Sequence, residues 1–143
     1  MYTGIQHSHS YFAYLVLVFL LLAIAFGLIR WLTGKTFTKL NKIFALLGLI
    51  GTHLQVLIGL ILYFVSPLGF SNFSSDAMGE SSLRLYILEH PLTMILAAVL
   101  ITVGYSRAKR LLDDKKKLKS VVVFYSIGLL LILIRIPWDA WGK

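Results

Sequence analysis

Six residues with chemical potential stand in or at the edge of long apolar runs of this chain: His7, His9, His53, Glu89, His90 and Arg135. Ionisable groups at membrane depth are costly, so they are rarely idle. Imidazole nitrogens ligate metals in their neutral form and are the usual protein ligands of haem iron. A guanidinium grips a carboxylate through paired hydrogen bonds. The chain has no cysteine, so thiolate metal sites, disulfides and thioether attachment of a haem are excluded. A haem here would be of the b type, held by side chains alone.

Four apolar stretches must position these groups. Continuous runs over about 10–29, 43–65, 85–106 and 120–137 are each near the roughly 20 residues that cross a hydrocarbon core. The chain is 143 residues long, one domain's worth, and 58% hydrophobic. That exceeds the roughly 45–50% of a soluble domain. Transmembrane strands would alternate apolar and polar residues, and these runs do not. The expected fold class is therefore all-α, an integral membrane four-helix bundle. Residues 1–8 lack the basic start of a cleaved signal peptide, so Met1 is expected to be kept.

Charge sets the orientation. Eleven of the fourteen Lys and Arg fall in two loops: Arg30, Lys35, Lys39 and Lys42 in one, and Arg107 to Lys119 in the other. By the positive-inside rule both loops face the cytoplasm. The N- and C-termini and the Ser- and Gly-rich 66–82 loop then face outward, to the periplasmic side of a bacterial inner (plasma) membrane. The net charge of +8 reads as topology and attraction to the lipid bilayer's headgroups, not as nucleic-acid binding. Trp138 and Trp141 form an interfacial anchor after span four. Pro91 implies a kink, or a short interfacial helix over 83–89 leading into a span that starts at His90.

Helix rise then sorts the histidines by depth. His9, His90 and Arg135 fall in one layer of the outer leaflet, within roughly 5–8 Å. His53 lies roughly 10–13 Å deeper than His90, too far for the two to share one metal ion. His9 and His90 are thus the expected axial pair for haem b, with Arg135 level with them to neutralise a propionate. His7 is the rival of His9, since residues two apart on a helix point about 200° apart; His9 is preferred as the deeper. The plain alternatives are an interfacial His9, a salt-bridged helix start at Glu89–His90 and an Arg135 snorkelling to headgroups. The case rests on their coincidence.

In span two, Gly48, Thr52 (or Gly51), Gln55 and Gly59 recur at helical spacing. This is a small-residue packing stripe in which Gln55 can hydrogen-bond across to a neighbour. The functional alternative is a flat haem face against Gly59. His53 lies off this stripe. It is open to reading as a hydrogen-bonded structural residue, a quinone contact, a proton relay or a ligand for a second haem with a partner chain.

Three segments together resemble the haem A synthase family. They are His7-Ser-His-Ser-Tyr-Phe-Ala13, the Leu54-Gln55-Val-Leu-Ile-Gly59 segment, and Glu89-His90 opening the span after an outer loop. The resemblance covers residues 7–106. It implies a four-helix cytochrome b-like half-unit in which His9 (or His7) and His90 are axial haem ligands and Gln55 and Gly59 lie beside the haem. The chain carries one such half where the family has two, lacks the outer-loop cysteines of many members, and has Gln6 and Ser8 where the family places a catalytic carboxylate. The resemblance therefore implies the site more than the synthase reaction. The expected role is electron transfer or haem handling in a respiratory or redox assembly, with a homodimer as one way to restore eight helices. The alternatives are an accessory subunit of a larger respiratory membrane complex, and a quinone-binding or proton-relay unit using His53, Gln55 and Glu89.

Overall fold

A computed structural model describes residues 1–141 of the chain. They form four long helices, α1 (Tyr2–Leu32), α2 (Lys39–Val65), α5 (His90–Arg110) and α6 (Asp114–Arg135), with two short ones, α3 (Ser75–Gly79) and α4 (Ser81–Arg84), in the long loop. There is no strand among the described residues. α1 packs on α2 and α6, and α5 packs on α6 and α2. The chain's course makes each neighbouring pair antiparallel, so the helices close into a ring of four. The four long helical segments are long and apolar enough to cross a membrane. Large apolar side chains such as Leu21, Leu57, Val99 and Leu130 stay exposed on the outside of the bundle, which a soluble monomer rarely tolerates over so wide an area.

Local chemistry sets the helix ends. α1 closes with Gly34 at φ +66°. The Gly34 N–H donates to the Trp31 carbonyl, and the Lys35 N–H reaches the Arg30 carbonyl at 2.9 Å. This paired pattern needs a left-handed residue, which glycine supplies without strain. α2 starts at Thr38, whose N–H donates to Asn41 Oδ1 at 3.0 Å. Asp113 caps α6 by accepting from the Lys116 N–H at 2.7 Å. Pro137 ends α6, because the residue before a proline is pushed out of the α region; Ile136 is extended.

Three boundaries differ from the hydropathy reading. α1 begins at Tyr2, so His7 and His9 sit in its second and third turns instead of ahead of it. Polar residues need not break a helix, and the Ser8 hydroxyl is absorbed by the Gly4 carbonyl one turn back at 2.8 Å. α6 starts at Asp114, before the apolar run begins, because its cap lies in the basic loop. The Pro91 region is not a separate interfacial helix. Helical structure runs from Ser81 to Arg110 with one wide π turn at Leu85–Glu89.

That π turn has a cause and a consequence. Its last bond runs from the His90 N–H to the Leu85 carbonyl; the next would need an N–H that Pro91 lacks. The Ile87 carbonyl, four residues before Pro91, loses its usual helical donor, and the Tyr63 hydroxyl of α2 supplies one at 2.9 Å. In a regular helix, residues five apart point about 140° apart. The wider turn instead brings Arg84 and Glu89 together, with Nε and Oε1 at 2.8 Å.

Candidate functional site

A cavity of about 190 Å³ lies at the end of the bundle that carries the termini. All four long helices line it. His9 comes from α1, Gln55 and Gly59 from α2, His90 and Met94 from α5, and Ile132 from α6, with Trp141 following. Most of the lining is apolar.

His9 and His90 face each other across this layer. Their ring centres are 6.2 Å apart and the planes are nearly perpendicular, at 88°. The two rings come from different helices. His90 is aimed by the π turn and by one hydrogen bond: its Nδ1–H donates to the Arg135 carbonyl at 2.8 Å. Its Nε2 has no protein partner among the described residues. His9 is held from α2. The Gln55 amide nitrogen donates to the His9 carbonyl at 2.8 Å and lies against the imidazole, 3.2 Å from Nδ1 and 3.5 Å from Nε2. Gly59 sits directly against the imidazole, where a Cβ would come within 2.9 Å of Cε1.

The other residues named from the sequence fall in different places. His7 does not line the cavity; it stacks on Tyr11 at 6.1 Å, and its Nδ1 is buried without a partner. Arg135 contributes its backbone carbonyl and not its guanidinium, whose Nε lies 3.7 Å from Glu89 Oε2. Glu89 is thus held between Arg84 and Arg135 at the rim. Gly59 offers no free flat surface, because the His9 ring covers it. His53 is on the bundle exterior. Its Nδ1 bonds the Leu49 carbonyl at 2.8 Å, and its Nε2 lies 3.3 Å from the Thr102 hydroxyl of α5. That is a tie between two helices, and His53 does not line the cavity. The small-residue stripe serves packing: Gly48 lies against Leu20 and Tyr125, and Gly51 against Val16.

Sequence reasoning missed Arg84, Tyr63 and Pro137. Arg84 and Glu89 are at a spacing that pairs only across a π turn. Tyr63 was an ordinary aromatic in an apolar run. Pro137 lies just past the fourth apolar run. Trp141 ties that end to the bundle by donating to the Ser10 carbonyl at 3.0 Å and stacking on Tyr14 at 4.4 Å.

The donor set can be tested against a haem. Metal–nitrogen bonds of about 2 Å put two axial nitrogens about 4 Å apart and their ring centres roughly 6 Å apart. The ring-centre spacing of His9 and His90, 6.2 Å, is of this size, while the Gln55 amide nitrogen lies 3.5 Å from His9 Nε2. Two neutral imidazoles on facing helices suit a b-type haem, and no cluster of three or more His, Asp or Glu suited to another metal ion occurs among the described residues. The cavity is smaller than the roughly 300–1,000 Å³ of a usual ligand site, so a macrocycle requires the lining side chains to move outward. No family model matches the chain, and no curated protein or solved structure matches it.

Proposed function

We propose that the chain is a multi-pass membrane protein that binds one b-type haem between His9 and His90 and serves electron transfer or haem handling. The observation that carries this reading is the facing imidazole pair at 6.2 Å inside an apolar cavity. Ligand sites of this kind combine apolar lining with a few convergent polar groups. The haem would supply one-electron redox chemistry. The residues of this chain bind it, exclude water from it and orient it. His90 presents its Nε2, Gln55 and Gly59 hold His9, and Met94, Ile132 and Trp141 form the apolar wall. The motif resemblance to haem A synthases supports the same site.

The positive-inside rule puts the basic loops in the cytoplasm. The termini and the histidine layer then lie on the outer side of a bacterial inner membrane. A quinone is the second reading, favoured by the modest cavity volume. The accessory-subunit reading has no observation in its favour. The test is the reduced-minus-oxidised absorbance spectrum of the protein purified in detergent from haem-replete cells. A red protein with b-type bands is expected. A colourless protein that yields an extractable quinone would replace this reading with the second.

A further inference from the structure

The cavity at the termini end is too small for a macrocycle as it stands, and its size points to a smaller occupant. An apolar protein cavity of about 150 Å³ holds one benzene molecule. The cavity of about 190 Å³ here therefore has room for one six-membered ring and its nearest substituents. Leu60 of α2 and Ile95 of α5 line it and are also exposed on the outside of the bundle. Along both helices they fall between two ties, the Tyr63 hydroxyl to the Ile87 carbonyl at 2.9 Å and Thr102 to His53 at 3.3 Å. An apolar tail on the ring leaves for the bilayer between these ties.

The polar atoms left over at this cavity are acceptors. His90 Nδ1 is 2.8 Å from the Arg135 carbonyl, which can only accept. The neutral ring therefore has its proton on Nδ1 and a lone pair on Nε2. That carbonyl is open because α6 ends at Arg135; a helix that ran on would cover it with the N–H of Asp139. The Gln55 amide is oriented by the His9 carbonyl, 2.8 Å from its nitrogen. The reverse orientation would set two acceptor oxygens against each other. Its Oε1 is the atom left over, buried and without a partner. No carboxylate lines the cavity among the described residues. A charged amine could donate to these atoms only by burying its charge unpaired, which is costly.

We infer that the cavity, at its present volume, binds a lipid-soluble hydroquinone, a single ring with an apolar tail, in preference to the corresponding quinone. The inference rests on the second of the two readings above and narrows it to the reduced form. It concerns the haem-free chain, whose lining has not moved outward. The hydroxyls of the hydroquinone donate to His90 Nε2 and Gln55 Oε1, which gives the orphaned oxygen its partner. A quinone of the same shape carries two carbonyl oxygens, which only accept. Both would meet acceptors, and the buried groups would stay unpaired. The site thus tells the reduced carrier from the oxidised one by the protons it bears.

The experiment uses the full-length chain, purified in detergent from a haem-deficient host and kept free of oxygen. Three probes of one shape are compared: a decyl hydroquinone, its quinone and its dimethyl ether. Affinity is read from the rise of the unfolding temperature with probe concentration in the detergent phase. The hydroquinone is expected to bind at least tenfold more tightly than the other two, whose oxygens cannot donate. Gln55→Leu and His90→Phe should each weaken hydroquinone binding several-fold and so shrink its lead. The three probes on the wild-type chain keep the inference falsifiable if either variant fails to fold. Quinone or ether binding as tight as that of the hydroquinone overturns the inference alone and leaves a cavity that takes the ring. Binding of none of the three removes the quinone reading and this inference with it.

Discussion

Tyr125 and His9 both reach another helix from inside this bundle, yet their surroundings differ. Tyr125 is fully buried and donates to the Ala45 carbonyl at 2.6 Å. Around it, from the basic loops to the middle of the bundle, glycines let the helices close up. A Cβ on Gly128 would meet Ile101 at 2.9 Å, and one on Gly104 would meet Phe124 at 2.6 Å. The Ser120 hydroxyl there donates to the Gly104 carbonyl at 3.0 Å. His9 instead lines a cavity, next to a glutamine oxygen with no partner and opposite a histidine nitrogen with none. In one half small residues remove space and each buried hydroxyl is satisfied. In the other, space and spare hydrogen-bonding capacity are kept. Unsatisfied polar groups cost stability in an apolar medium, so the unpartnered Gln55 oxygen on the cavity marks where a ligand is expected.

Substitutions can break that contrast, and the largest effect is expected in the packed half. Gly128→Leu has no room for its side chain. Overpacking of this kind costs about 1–3 kcal/mol, so the unfolding temperature in detergent should fall sharply, as followed by circular dichroism. An unchanged melting temperature would mean that this half is not close-packed. Gly59→Ala should act differently. An alanine in place of a helix-interior glycine gains roughly 0.5–1 kcal/mol of backbone preference, which offsets the contact with a movable ring. Stability should hold while His9 is displaced and the haem spectrum shifts; the reverse pattern would place Gly59 in the packing core.

Tyr125→Phe removes one buried hydrogen bond and should cost about 1 kcal/mol, with haem content unaltered. His53→Ala should have the smallest effect, about 0.6 kcal/mol, the usual worth of a side-chain bond between membrane helices. It too should leave the haem spectrum in place. Loss of haem from this variant would move the site to the middle of the bundle.

How far the sequence reached depended on the kind of signal. The four apolar helices followed from run length, because hydrocarbon thickness fixes the requirement. The layer holding His9 and His90 followed from helix rise, which is insensitive to where a helix begins. That starting point was not readable: residues 2–9 are polar, yet nothing in them breaks a helix, so α1 extends to Tyr2. The role of Arg135 was also out of reach. A guanidinium draws the eye, but its backbone carbonyl is what meets His90, and it is free only because Pro137 ends the helix. Gln55 was legible as a group reaching across a helix interface. That its partner is His9, and that its oxygen is left over, depends on interatomic distances that no spacing rule supplies. Arg84 escaped notice because its pairing with Glu89 needs a π turn, which follows from Pro91 only once the hydrogen bonds are traced.

Haem stoichiometry tests the central claim most directly. Pyridine haemochrome assay of the purified wild-type chain should give one b-type haem per chain. His90→Ala should retain less than a tenth of that, and His53→Ala should match the wild type. A wild-type protein without haem, or one that loses it with His53→Ala but not with His90→Ala, would contradict the account.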